Sequence, residues 1–262
     1  MALSKIPTGS DLKSDIKRAV DEIGGFGKYI QTGNTVLVKP NFNTADEPPA
    51  STDPAFLSAV IDLLGEVGAK RIVIGESSTF YLSTKKVLEQ CDVFGVCIKG
   101  PAVEVMVFEN HQYVKKPVRG GQYLRSVTVP KVLDEVDRIV LLPCMKTHFA
   151  AQYTGALKIA VGMMKPSERV RMHMGHVPEK VAEINLLYEP DLVVMDGRKC
   201  FIAGGPAKGE VREPGIILAS DSRVEIDLEE VRTIQSFDGN SLAGIDPEEI
   251  VQIKHARKLG IK

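Results

Sequence analysis

Closely spaced cysteines are missing from this chain of 262 residues. Its four cysteines, Cys91, Cys97, Cys144 and Cys200, stand singly and form no CxxC pair. Such spacing argues against a structural zinc site and against the cysteine run that usually binds an iron–sulfur cluster. We therefore expect buried free thiols in a reducing compartment.

Long hydrophobic runs and an excess of basic residues are missing as well. The first residues, MALSKIPTGSDLKSD, contain no apolar signal-peptide core, and no later apolar run reaches the ~18 residues of a membrane span. The 33 Lys and Arg residues are balanced by 34 Asp and Glu residues. These absences predict a cytoplasmic protein that does not cross a membrane. They also argue against nucleic acid as a partner, because no global positive field is present.

Short apolar runs alternate with helix signals along the chain. Asp11 and Asp53 can each cap a helix, and Pro54 suits the first helical position after Asp53. Buried strands are predicted at residues 36–38, 72–74, 139–142, 192–195 and 216–219. This alternation predicts a single α/β domain over residues 1–262, with a mostly parallel sheet and helices on both faces. Charge and turn residues predict a small insertion at residues 100–127.

Residues able to do chemistry follow four of these strands. They are Lys39 and Asn41, Glu76 and Ser77, Lys146 and His148, and Asp196. The carboxyl ends of parallel strands meet at one edge of a sheet, where open α/β folds bind their ligands. The alternative is that polar residues merely mark loops. Four such strand ends favour a single pocket, with His173 near its rim.

The charged residues of this predicted pocket are mainly cationic. Lys39, Lys146, Lys158 and Arg171 favour an anionic small molecule such as a carboxylate or a phosphate. Crowding of positive charges lowers the pKa of a lysine towards the range of a useful base. We therefore expect Lys146 or His148 to transfer a proton, with Asp196 orienting the base and Lys158 holding the anion.

Two further features leave alternatives open. His173 and His176 lie three residues apart and could hold a metal together with His148 or Asp196. However, Met174 and Gly175 between them disfavour a helix, and no HExxH spacing is present. Gly204 and Gly205 can turn backbone N–H groups towards an oxyanion, or can simply form a tight turn. Neither P-loop nor dinucleotide spacing accompanies them. Metal and cofactor are therefore left unassigned.

Several separated motifs, in the same order, resemble the family called domain of unknown function 362. They are KPN from Lys39, the helix start Thr52-Asp53-Pro54, Lys146-Thr147-His148, Gly155-Ala156-Leu157-Lys158, Arg171 with His173, Asp196-Gly197 and Gly204-Gly205-Pro206. The resemblance runs from about residue 36 to residue 260. This chain has Ile159 where relatives often have Asn. Many relatives carry an added ferredoxin-like module with iron–sulfur cysteines, which this chain lacks.

Two classes of function follow. The first is an isomerase-like or racemase-like enzyme that transfers a proton on a small carboxylate or phosphate compound. Its order of Lys, His, Gly and Lys resembles, in style and not by alignment, the lactate racemases with their lysine-tethered nickel cofactor. The second, implied by the ferredoxin-like fusions, is a non-catalytic ligand-binding or redox accessory protein that partners an iron–sulfur protein. A homodimer and a redox partner both remain open.

Overall fold

A large sheet forms the centre of the molecule. The computed structural model describes residues 1–96 and 102–262 of the chain. In chain order the strands are β1 (Leu3–Pro7), β2 (Thr35–Lys39), β3 (Arg71–Glu76), β4 (Ala102–Val107), β5 (Tyr113–Pro117), β6 (Ser126–Pro130), β7 (Arg138–Leu141), β8 (Cys144–His148), β9 (Gln152–Tyr153), β10 (Leu192–Gly204), β11 (Gly209–Arg212) and β12 (Ile216–Ser220).

Helices connect and cover these strands. They are α1 (Leu12–Asp21), α2 (Phe26–Tyr29), α3 (Pro54–Glu66), α4 (Thr84–Gln90), α5 (Val93–Val96), α6 (Gly155–Lys158), α7 (Pro166–Met172), α8 (Val177–Ile184), α9 (Arg223–Gln235) and α10 (Val251–Lys258). The predicted caps are confirmed: the Asp11 carboxylate accepts backbone N–H groups of α1, and Asp53 does the same for α3.

The strand order is β1-β12-β10-β7-β2-β3-β4. Neighbouring strands from β10 to β4 run parallel, whereas β12 and β1 add an antiparallel edge. Beyond this row, β8 pairs in parallel with β10 and antiparallel with β9, and β11 pairs with β10. β5 and β6 form a separate hairpin. The predicted α/β class with a mostly parallel sheet is confirmed.

Both faces of the sheet are buried. Side chains alternate along a strand, so Val36 and Val38 of β2 enter one core while Leu37 enters the other. The first core includes apolar residues of α1 and α3, and the second includes apolar residues of α8, α9 and α10. Helices therefore cover both faces, as expected for parallel strands.

Two elements differ from the sequence-based expectation. The pattern misses β1, a short edge strand. The run at 216–219 does enter the sheet, as β12, but antiparallel to β10, because a short turn sends the chain back beside β10. Within the predicted insertion, Ala102–Val107 forms β4 and pairs with β3 along its length.

The thiols and the helix lengths complete the description. Cys91, Cys144 and Cys200 are free, with Cys144 and Cys200 buried; Cys97 lies outside the described residues. In the ranges that the structure describes, no helix is long and apolar enough to span a membrane.

Candidate functional site

A cavity of about 330 Å³ lies at the carboxyl ends of β2 and β3. We call it the lysine cavity, because Lys39, Lys146 and Lys158 all line it. Of the other predicted residues, Asn41, His148 and His173 also line it, whereas Asp196, Arg171, Gly204 and Gly205 do not. The sequence predicted that Lys146 and His148 follow a strand, whereas the structure places both of them within strand β8. Because they are two residues apart in this strand, their side chains share one of its faces.

Lys39 is neutralised inside the protein. Its ammonium group, on a side chain only 2% exposed, forms an ion pair with Glu76, which is equally buried. Glu76 also accepts the backbone N–H groups of Phe42 and Ser77, both at 2.8 Å. Burial lowers the pKa of Lys39, and the charge of Glu76 opposes that shift. Gly162 packs closely beside this pair, since a Cβ there would lie 3.1 Å from the Lys39 Nζ, a tight contact.

Lys146 meets no such carboxylate among the described residues. Its Nζ donates to the backbone carbonyl of Ala50, and the residue is 1% exposed. Burial lowers its pKa, while the more distant Cys144 and Glu230 oppose the shift. The backbone is better secured, because the Lys146 N–H donates to Glu230 Oε1 at 2.8 Å. Lys146 is thus a fixed, buried amine that has no ion-pair partner among the described residues.

Lys158, at the end of α6, has a pKa close to neutral pH. Burial, followed by repulsion from Lys146 and Arg169, lowers its pKa to about 7. Its side chain has neither a hydrogen bond nor an ion pair within the part of the chain that the structure describes. A lysine with this pKa is about half neutral at pH 7, the condition that suits an acid–base group.

Lys158 should therefore be an unusually reactive amine at neutral pH. We expect trinitrobenzenesulfonate to label it faster at pH 7.5 than the exposed lysines of the same protein, because only the neutral amine attacks. Labelling rates are read by peptide mass spectrometry between about pH 6 and 9, where the Lys158 rate should level off above its pKa. Added sulfate should slow the labelling by favouring the charged form. A Lys158 rate no higher than that of the surface lysines would contradict this picture.

His148 is neutral at physiological pH. Burial, together with repulsion from Lys158, Lys146 and His173, lowers its pKa to about 2. Nδ1 accepts the backbone N–H of Ala150 at 3.0 Å, so the neutral ring carries its proton on Nε2. His148 is consequently a hydrogen-bond donor through Nε2 and a poor proton acceptor.

Arg169, not Arg171, is the arginine of the cavity. Successive helical residues are rotated by about 100°, so positions two apart face nearly opposite ways. Arg169 is buried and Arg171 is exposed. The Arg169 guanidinium donates to the carbonyl groups of Ser77, Ser78, Gly162 and Met164. It holds the cavity wall together and adds a positive charge that meets no carboxylate within ion-pair distance among the described residues.

Two acids of α9 support the cavity from behind. Asp227 accepts the N–H groups of Ala156 and Leu157 and the hydroxyl of Tyr153, which fixes the turn into α6. Burial raises the pKa of Asp227 to about 7 and that of Glu230 well above its usual range. In front of them, Thr154 is buried and lines the cavity. Its hydroxyl has no partner among the described residues.

Asp196 belongs to a different cavity, which corrects the expectation that it orients the base. Along β10, Asp196 lies opposite Cys144 of β8, whereas Lys146 lies opposite Phe201, further along the strand. Both carboxylate oxygens of Asp196 accept from Arg198, and Arg198 also binds Asp53 at 2.6 Å. These residues line a cleft of about 750 Å³, here called the Arg198 cleft. This larger cleft contains none of the three lysines.

Gly204 and Gly205 form a tight turn, the second of the two alternatives named from the sequence. Their φ angles are +81° and +73°, in the region that favours glycine. A Cβ on Gly205 would lie 1.9 Å from the Thr147 carbonyl oxygen. The Gly205 N–H already donates to the Lys208 carbonyl at 2.7 Å, and it is Pro206 that lines the lysine cavity.

The two neighbouring histidines do not act together. His173 ends α7, and its Nδ1 donates to the Arg169 carbonyl at 2.7 Å. His176 begins α8 from a left-handed conformation and stacks on Tyr123. No group of three or more His, Cys, Asp or Glu side chains among residues 1–96 and 102–262 is arranged to hold a metal ion.

The sequence-based reasoning missed four lining residues in particular. They are Asn43, Thr154, Ile159 and Arg169. Arg169 could have been found from helical spacing, because it and Met172 are three apart on the buried side of α7. Thr154 carried no pattern of its own.

The fold and the cavity define an α/β protein with a lysine-lined cavity at the carboxyl edge of a mostly parallel sheet. A family model described as Domain of unknown function (DUF362) matches residues 36–231. The chain belongs to this family, which confirms the resemblance inferred from the motifs.

Two individual proteins are also similar to this chain. A thylakoid-associated protein of Synechocystis sp., sll1697, is 25% identical over an alignment of 264 positions. This alignment covers 95% of this chain and 75% of that protein. The predicted cytoplasmic location stays a prediction. The lactate racemase apoprotein from Thermoanaerobacterium thermosaccharolyticum aligns with a TM-score of 0.47 and 12% identity. That alignment covers 89% of this chain and 63% of the racemase chain, and it concerns the fold alone.

Proposed function

We propose that the lysine cavity binds a small anion and that the protein transfers a proton to or from it. One observation carries the proposal: Lys146 and Lys158 line the same cavity, and neither has a carboxylate within ion-pair distance among the described residues. Repulsion between the two amines helps to lower the pKa of Lys158. An anion placed between them would relieve that repulsion, and desolvation would strengthen its attraction to both.

The proposed roles follow from the pKa values and the hydrogen bonds. The anionic group would be held by Lys146, by the Nε2–H of His148 and by the free hydroxyl of Thr154. Lys158 would exchange the proton, since its pKa is about 7. Positive charge from Lys146 and Arg169 would stabilise negative charge that develops on a carboxylate when the neighbouring C–H bond breaks.

The first experiment measures anion binding with sulfate, because the charge of this ion does not change near neutral pH. Calorimetric titration should give one site whose affinity rises as the pH falls from about 8 to 6, because Lys158 gains its proton in that range. Lys158→Met and Lys146→Met should each weaken binding by about 10- to 100-fold, the value of a hydrogen bond to a charged group. Lys85→Met, on an exposed face of α4, is the matched control and should leave the affinity unchanged.

Other outcomes would decide against parts of the proposal. If all three variants bound sulfate with the affinity of the unmodified protein, the anion would bind elsewhere and the whole proposal would be wrong. Sulfate binding that depends on Lys146 but not on pH would remove Lys158 from the site. Binding without turnover of any carboxylate or phosphate would make the protein a ligand-binding protein, the second class named from the sequence.

A further inference from the structure

Three aromatic side chains surround the mouth of the lysine cavity. Phe80, Tyr81 and Phe149 line it, yet they are 61%, 69% and 84% exposed. Large apolar side chains in water are unfavourable, and when they gather around a cavity they commonly mark a binding surface. The floor of the cavity is cationic and its rim is aromatic.

The loop that leads into Phe80 and Tyr81 is anchored by its backbone. Thr79 donates its N–H to the Asn43 carbonyl at 3.0 Å, and Arg169 binds the carbonyl of Ser78 at 2.6 Å, so the loop before Phe80 is held at both sides. Phe80 and Tyr81 meet edge to face at 5.4 Å, and Phe149 stacks on His148 at 5.0 Å. All three rings therefore lie at the cavity while remaining exposed.

We infer that the ligand is an amphiphilic anion: a carboxylate or phosphate whose hydrophobic chain or ring lies against Phe80, Tyr81 and Phe149. This inference rests on the proposed function and names its substrate class. The charge of the head matches Lys146 and Lys158, while an apolar body would cover the rings that water now contacts. A small hydrophilic anion would fill the floor and leave the rim exposed.

The experiment compares carboxylates of increasing chain length. Acetate, butyrate, hexanoate and octanoate are titrated against the labelled protein by NMR, which measures weak binding. Affinity should rise with each added methylene, by up to about fourfold where the methylene becomes fully buried. Phe149→Ser and the double variant Phe80→Ser/Tyr81→Ser should each flatten this dependence on chain length. Val251→Ser, an exposed apolar residue of α10 outside the rim, is the matched control.

The possible results separate this inference from the proposed function. If acetate binds through Lys158 but octanoate binds no better, the amphiphile is overturned and the anion site stands. If no carboxylate binds although sulfate does, the inference is overturned and the anion site stands; if neither binds, both fail. A chain-length dependence that survives in the rim variants places the apolar body elsewhere and overturns the inference. Phe149-dependent sedimentation with phosphatidylglycerol vesicles, without chain-length dependence, would make the rim a membrane contact and would also overturn it.

Discussion

Replacing Glu76 with alanine is expected to lower the free energy of unfolding by about 3–5 kcal/mol, the usual cost of leaving a buried charge without its partner. Among the described residues, Lys39 would keep only the Pro40 carbonyl as a hydrogen-bond acceptor, at 2.7 Å. The N–H groups of Phe42 and Ser77 would also lose their acceptor. Urea denaturation followed by circular dichroism measures the change.

Two controls separate burial from the mere loss of an ion pair. Glu104→Ala breaks the surface pair with Arg71, whose side chains are both 43% exposed, and should cost no more than about 1 kcal/mol. The double variant Lys39→Met/Glu76→Leu should be more stable than Glu76→Ala, since no charge is left buried. Similar losses for Glu76→Ala and Glu104→Ala would show that the Lys39–Glu76 pair is not desolvated in solution.

Lys158→Ala is expected to slow proton transfer by about 10²–10⁴-fold, the usual contribution of an acid–base group. Hydrogen exchange measures this step whatever the final product of the reaction is. The protein is incubated in D₂O with a panel of carboxylates, and NMR follows the exchange of the hydrogen next to the carboxylate. In the unmodified protein the exchange rate should rise through about pH 7 and then level off, because Lys158 must be neutral to accept a proton.

The variants assign the roles. Lys158→Arg should be as slow as Lys158→Ala, since arginine keeps its proton, and added methylamine should partly restore Lys158→Ala. Lys146→Ala should chiefly weaken binding. Lys85→Ala is the control for loss of one positive charge. If His148→Ala, and not Lys158→Ala, abolished exchange, the histidine role expected from the sequence would replace the one proposed from the structure.

Much of the fold could be predicted because its signals are local. Apolar runs marked β2, β3, β7, β10 and β12, and Asp11 and Asp53 marked helix starts. β1 was missed because a short edge strand lacks a continuous apolar run. The direction of β12 was missed because it depends on how the chain turns after β10.

The candidate site was predictable only in its chemical character. Cations after parallel strands indicated an anion cavity, and the shared strand edge brings Lys39, Lys146 and Lys158 together. Arg171 was chosen from the family motif, and the helical spacing that places Arg169 on the same side of α7 as Met172 was not used. Asp196 was included because it follows an apolar run. That position does not reveal that Arg198, two residues later, donates to both of its carboxylate oxygens.

The sequence by itself determined the α/β class, the helix caps and the positive character of the strand ends, since periodicity and capping act between near neighbours. The tertiary structure alone decided which charges are cancelled. Lys39 meets Glu76 across 37 residues of chain, and Arg198 meets Asp53 across 145. Lys158 meets no carboxylate among the described residues. Pairing and desolvation depend on distances in space, and those distances set the pKa of each lysine.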